Sequence, residues 1–211
     1  MADVTDIAET HKSPIAASQK RAVSEALPIE QRTDVTVDEL EKTSLPYPAE
    51  LYNGKVVYKM ANPEHGIIQG IIITKFNLYL EQNPIGFAMT ETNFRLWPDR
   101  PRESRIPDIA FVKKERMPDD LHKFPSIAPD LAVEIISPED NFLAVMNKAD
   151  EYLEQGTQIV WLIIPDAREV LVCTKQSKQS VRNVLTAPEL LPGFELPISQ
   201  IFEGVPAPEQ V

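Results

Sequence analysis

Pro129-Asp130-Leu131-Ala132-Val133-Glu134-Ile135-Ile136-Ser137-Pro138 holds an apolar run, Leu131 to Ile136, broken by one acid, Glu134, and closed by Ser137-Pro138. Leu131 to Ile136 has the length and β-branched content of a buried strand rather than a helix. Downstream, Phe142, Val145, Ala149 and Tyr152 recur at helical spacing between Asn141 and about Gln155, and Gly156 stands where a helix C-terminal cap belongs. Apolar strands follow at Ile159–Ile164 and Val170–Thr174, giving a strand-helix-strand unit that runs on into strands.

Upstream, strands are predicted at Lys55–Met60, Phe87–Leu96 and Ile106–Val112. Between the first two, Ile67, Ile68, Ile71, Ile72, Phe76, Tyr79 and Leu80 repeat at three-to-four spacing, which predicts a helix over Glu64–Glu81 despite its β-branched residues. Asn83-Pro84 stops it. Thr36-Val37-Asp38-Glu39 has the form of a capping box and predicts a short helix before the first strand. The fold class expected is α/β, of the α+β kind, with a central mixed sheet and helices packed on its faces.

A chain of 211 residues can bury one sizeable core, and one domain over 35–205 is expected. The first 46 residues contain no Phe, Trp, Tyr or Gly, so residues 1–34 are read as a disordered acidic tail, with a flexible C-terminus over 206–211. Cys173, the single cysteine, sits in apolar company and reads as a small buried hydrophobe. No secretory start and no membrane-length apolar run is visible, and the expected location is the cytoplasm.

The formal net charge is -11, which argues against indiscriminate polyanion binding. Its distribution is uneven, because Arg95 to Lys123 holds eight bases against six acids and surrounds Asp108 with a local positive balance. These are either solvated loop charges or a grip for a phosphate backbone.

Two strands carry acids where apolar residues are expected: Asp108 after Pro107, and Glu134 inside Leu-Ala-Val-Glu-Ile-Ile. A carboxylate there is costly to desolvate unless cations or donors face it. On neighbouring strands, the two could share a divalent cation through hard oxygen ligands; otherwise each forms a structural ion pair or meets solvent at a strand end. Lys148 falls on the apolar stripe of the following helix, so packing of that helix on the sheet would bring its ammonium to the carboxylates; the bland alternative is a surface lysine paired with Glu151 or Glu154. His65 and Gln69, at the opening of the long helix, are weaker candidates for contacting phosphate or ordering water, and a structural role suits a lone histidine better. Trp97 and Trp161 read as packing residues, and the three histidines show no metal-ligand spacing.

The succession Ile-Pro-Asp108-Ile-Ala-Phe-Val, Pro-Asp-Leu-Ala-Val-Glu134-Ile-Ile-Ser-Pro, Lys148-(x)3-Tyr-Leu-(x)2-Gly and Ile-Val-Trp-Leu-Ile-Ile-Pro resembles the Uma-type restriction endonuclease family of the PD-(D/E)xK nuclease superfamily. Glu50-Leu-Tyr-Asn-Gly54, Pro63-Glu-His65 and Leu191-Pro-Gly-Phe-Glu-Leu-Pro197 extend the likeness over roughly 36–203. The resemblance implies a restriction-endonuclease-like core and an endonuclease that hydrolyses DNA with metal-activated water. It implies Asp108, Glu134 and the Ile135 carbonyl as ligands of Mg²⁺, or Mn²⁺, and Lys148 as the catalytic lysine. The superfamily's usual lysine position, two residues after the glutamate, holds Ile136 here, so Lys148 would take over from the helix. A homodimer is expected by analogy with nucleases that cut both strands. The competing expectations are a catalytically inactive interaction module that keeps the nuclease fold, and hydrolysis of a different phosphate ester.

Overall fold

In the computed structural model, which describes residues 27–206, Leu131–Ile135 is strand β5, fully sequestered along its length inside a six-stranded sheet. In chain order the elements are α1 (Val37–Lys42), β1 (Ala49–Tyr52), β2 (Lys55–Tyr58), α2 (Pro63–Gln82), β3 (Gly86–Thr90), β4 (Ile109–Lys113), β5, α3 (Phe142–Glu154), β6 (Ile159–Ile164), β7 (Glu169–Cys173), β8 (Lys178–Val181), β9 (Val184–Ala187), β10 (Leu191–Pro197) and α4 (Ile198–Ile201). The large sheet runs β3-β4-β5-β6-β7-β8. Its strands pair antiparallel except β5 with β6, which are parallel and joined through α3. This is the mixed sheet expected from the sequence, its parallel pair made by the strand-helix-strand unit.

Alternation along the strands divides the core. Ile109, Phe111, Leu131, Val133, Ile135, Trp161 and Ile163 face α2, α4 and the β9–β10 pair, while Ala110, Val112, Ala132, Val160 and Leu162 face α3. The long helix forms as predicted because Ile68, Ile72 and Phe76 have a buried face to fill, with Phe76 5.7 Å from Trp161 and 5.2 Å from Phe194 between ring centroids. Burial of each such side chain contributes about 1.5–3 kcal/mol, enough to override the weak helix preference of β-branched residues. Asn62 caps it by accepting from the His65 N–H, and Pro63 takes the first turn, where no hydrogen is needed.

Several boundaries differ from those read in the sequence. The strand expected over Phe87–Leu96 ends at Thr90, because Glu91 turns into the left-handed region at φ 49°; Phe94 then makes only an isolated bridge to Arg105. Val170–Thr174 is shifted by one residue, and β4 begins at Ile109 rather than Ile106. Residues 1–26 and 207–211, most of the two stretches read as flexible ends, lie outside the described residues. Residues 27–34, assigned to the tail on sequence grounds, carry a 3-10 turn at Ile29–Gln31, and Arg32 pairs with Asp34 and Glu39.

The capping box at Thr36 and Glu39 forms in both directions. After it, β1 and β2 make a hairpin whose two-residue turn, Asn53-Gly54, has both φ angles positive, at 49° and 78°. That is the turn geometry an Asn-Gly pair favours. A side chain at Gly54 would also meet the Thr33 carbonyl oxygen at 2.6 Å, so the N-terminal segment lies directly on the turn. No described helix is long and apolar enough to cross a membrane.

Candidate functional site

Ile109 pairs with Val133 across β4 and β5, and one step further Asp108 stands opposite Glu134. Both acids are buried, on the end of the sheet that α3 covers. Asp108 is held from both sides. Its Oδ2 accepts the Ile135 N–H at 2.6 Å, while Oδ1 has Lys59 Nζ at 2.9 Å and His65 Nε2 at 3.3 Å, neither aligned to hydrogen-bond it. Gln69 donates to the Asp108 main-chain oxygen at 2.9 Å, so the two weaker candidates from the long helix, His65 and Gln69, both touch this residue.

Glu134 is contacted by three groups. Lys148 Nζ lies 3.0 Å from Oε1, the Tyr152 hydroxyl donates to the same oxygen at 3.1 Å, and Lys59 Nζ donates to Oε2 at 3.2 Å. Lys148 and Tyr152 are one turn apart on α3 and therefore reach down together. Lys148 is thus buried beside the carboxylates and not paired with Glu151 or Glu154; Glu151 instead binds Arg105. Phe142, on the same predicted stripe, is exposed, because the first turn of α3 overhangs the sheet.

Glu50, from β1, and Lys59, just after β2, were not singled out in the sequence. Glu50 Oε2 accepts the Ile106 N–H at 2.8 Å and lies 3.1 Å from Lys148 Nζ, which also donates to the Ile106 carbonyl oxygen at 2.9 Å. Three carboxylates, Glu50, Asp108 and Glu134, therefore interleave with two ammonium groups. The signal for both missing residues was the Asn53-Gly54 hairpin, whose two arms deliver them to the sheet end.

Electrostatics separate the two strand acids. Burial opposes ionisation of Asp108, but the Lys59 ammonium, His65 and the Ile135 N–H outweigh it and hold the carboxyl well below its usual range. For Glu134 burial prevails over Lys148 and Lys59, and the neighbouring Asp108 and Glu50 charges add to the upward shift. Burial lowers Lys59, yet Glu134, Asp108 and Glu50 more than compensate and raise it well above the ordinary lysine value.

The group opens into a cleft of about 730 Å³ whose rim includes Tyr58, Met60, Asn62, Ser137 and Asn141. Ile135, the third ligand suggested by resemblance, lines the same cleft. Among the described residues no group of three or more His, Cys, Asp or Glu side chains is arranged to hold a metal. A Mg²⁺ site needs fewer, since that ion keeps several waters and is commonly held by one or two carboxylates. The hard oxygens of Asp108 and Glu134 fit it, and Asp108 Oδ1 is a buried oxygen with no aligned donor.

Four of the eight bases of the stretch are paired within the protein. Arg95 is taken by Asp38 and Glu41, Arg116 by Asp130 and Lys123 by Asp120. Arg105 is buried, forked onto Glu151 and stacked 3.6 Å over the Tyr52 ring and 4.8 Å from that of Trp97. Positive charge in the cleft comes from Lys59 and Lys148 instead. Trp97 and Trp161 are buried packing residues as expected, and Cys173 is buried with its thiol pushed up to about 11 by burial.

A family model described as "Uma2: Putative restriction endonuclease" matches residues 37–199, which takes in every residue of the site. The chain belongs to the Uma2 family. This Uma2 chain is also similar to a solved structure from Anabaena variabilis ATCC 29413, described as "a putative nuclease belonging to DUF820", with 27% identity and a TM-score of 0.67. The match covers 80% of the Uma2 chain and 98% of the Anabaena chain, so the mixed sheet with its flanking helices is common to both. No curated protein matches the sequence.

Proposed function

We propose that the protein is a Mg²⁺-dependent endonuclease that hydrolyses DNA phosphodiester bonds, with Mn²⁺ able to replace Mg²⁺. The observation that carries the reading is that Glu134 and Lys148 line one open cleft of a Uma2 chain, with Asp108 buried directly behind and joined to Glu134 through Lys59. Asp108 and Glu134, with the Ile135 carbonyl oxygen, would hold the cation. Bound there, it would supply Lewis acidity toward the scissile phosphate and make water a better nucleophile at neutral pH.

The remaining work falls to the protein's own donors. The Ile135 N–H fixes the Asp108 carboxylate, and the Tyr152 hydroxyl and Lys148 orient that of Glu134. The positive potential of Lys148 offsets negative charge that grows on the phosphate oxygens. A homodimer whose two copies each cut one strand is part of this proposal and is checked by sedimentation of the purified protein.

Supercoiled plasmid and single-stranded DNA incubated with Mg²⁺, Mn²⁺ or EDTA test the reading. Cation-dependent nicking, lost in Asp108→Ala and Glu134→Ala, is the expected result. The second reading, a non-catalytic interaction module, is favoured by one observation, the internal pairing of Arg95, Arg105, Arg116 and Lys123. Absence of both cleavage and calorimetric cation binding would favour it over the endonuclease reading.

A further inference from the structure

The two ammonium groups of the cleft are held differently. An ammonium has three N–H donors. Lys148 Nζ has three acceptors within 3.1 Å, the Ile106 carbonyl oxygen, Glu134 Oε1 and Glu50 Oε2, and its side chain is 8% exposed. It donates a hydrogen bond to the first of these and stands in ion-pair contact with the other two, so it is enclosed by protein acceptors on three sides. Among the described residues, Lys59 Nζ meets just the two facing carboxylate oxygens, Asp108 Oδ1 and Glu134 Oε2, and its side chain is 20% exposed. It reaches them from the arm of a hairpin beside exposed Met60 and Val57, on the open side of the cleft.

We infer that Lys59 is an exchangeable counter-ion of the Asp108–Glu134 pair, seated where a divalent cation would bind and withdrawn when one does. This rests on the carboxylate reading given under Proposed function and adds the residue that governs entry to the seat. Withdrawal needs only rotation about a flexible four-carbon stem. It leaves two buried like charges facing one another, so it is favourable only when another cation takes the place. The observed cation affinity is then the intrinsic affinity reduced by the fraction of molecules in which the ammonium is out. Lys148, enclosed by three acceptors and less exposed, stays in place throughout.

The test is calorimetric titration of the full chain with Mn²⁺ in the absence of DNA. Lys59→Met, and Lys59→Gln in case the apolar change impairs folding, tighten Mn²⁺ by about ten- to a hundredfold, matching an ammonium seated about 90–99% of the time. Lys59→Arg, which keeps a cation in the seat, stays close to wild type. Thermal melts in EDTA give the converse result, with the neutral variants melting lower than wild type and gaining more from added Mn²⁺. Mn²⁺ binding no tighter in the neutral variants overturns the inference, as does equal tightening in Lys59→Arg. Asp108→Asn separates the two ideas. If it weakens Mn²⁺ while the Lys59 variants change nothing, the inference alone falls; if no variant or wild type binds Mn²⁺, the carboxylate reading falls with it.

Discussion

Lys148 Nζ lies 3.0 Å from Glu134 Oε1, bringing a helix cation against a strand anion with almost no water between them. Such a pair adds little net stability when intact but leaves an uncompensated charge when cut. Lys148→Ala takes from Glu50 its ammonium partner and from Glu134 one of two, and a loss of up to about 3–5 kcal/mol is expected in urea unfolding. Under the proposed reaction plasmid nicking falls by at least about 10²-fold, because the charge proposed to face the phosphate goes with it. Wild-type unfolding and nicking in this variant would remove Lys148 from both roles.

The opposite shifts of the two strand acids give opposite pH signatures. Glu134, raised by burial above its ordinary value of 4.5, favours the folded state when protonated; its contribution is complete below that value and is lost as pH rises through the folded one. Asp108, where burial is outweighed by Lys59, His65 and the Ile135 N–H, contributes fully above 3.8 and loses that contribution as pH falls through its lower folded value. Unfolding in EDTA across acid to neutral pH should therefore show Glu134→Gln gaining on wild type as pH climbs past 4.5. The wild-type advantage over Asp108→Asn should shrink below 3.8. Profiles that move in the same direction for both variants would contradict the electrostatics.

The elements that carry these residues were legible to different degrees, for physical reasons. The β5-α3-β6 unit has strong periodicity and clear caps, so both its strands and its helix were placed within a residue or two. Asp108 and Glu134 stood out because an acid in an apolar strand needs an explanation, and Lys148 because it interrupts an apolar stripe. Glu50 and Lys59 had no such contrast. Glu50 is buried only by the approach of Ile106 and α3, long-range events that nothing in Glu50-Leu51-Tyr52 announces. Strand β8, Lys178–Val181, is a polar, mostly exposed edge and shows no alternation to read. The basic balance of 95–123 was legible only as a count, because sequence does not show the partners that Arg95, Arg105, Arg116 and Lys123 find.

Two glycines should respond in opposite ways to the same methyl group. At Gly86 a Cβ would meet the Val112 carbonyl oxygen at 2.4 Å and the Phe111 ring at 2.5 Å, where β3 crosses tightly onto β4. Gly86→Ala should cost about 1–3 kcal/mol through overpacking. Gly70 lies in α2 with nothing within 4 Å of the added atom, so Gly70→Ala should stabilise by about 0.5–1 kcal/mol through helix propensity. Thermal melts of the pair check both signs, and a destabilised Gly70→Ala would mean that this face of α2 is covered by something else.

Arg105 ties the hairpin to α3 and so sets where Glu50 sits. Its guanidinium forks onto Glu151 at 2.7 and 3.1 Å, donates to the Leu51 carbonyl oxygen at 2.7 Å and stacks over the ring of Tyr52. A lysine keeps the charge but has neither the planar fork nor the stacking face. Loss of one charge-assisted hydrogen bond costs about 1.5–3 kcal/mol. For a domain of this size that corresponds to a fall of roughly 3–12 °C in Tm. Because Leu51 is flanked by Glu50 and Tyr52, Arg105→Lys should also loosen the Glu50 contact with Lys148 and lower nicking more than Gly86→Ala does at matched stability. Equal activity in the two variants at matched Tm would show that Arg105 serves the fold alone.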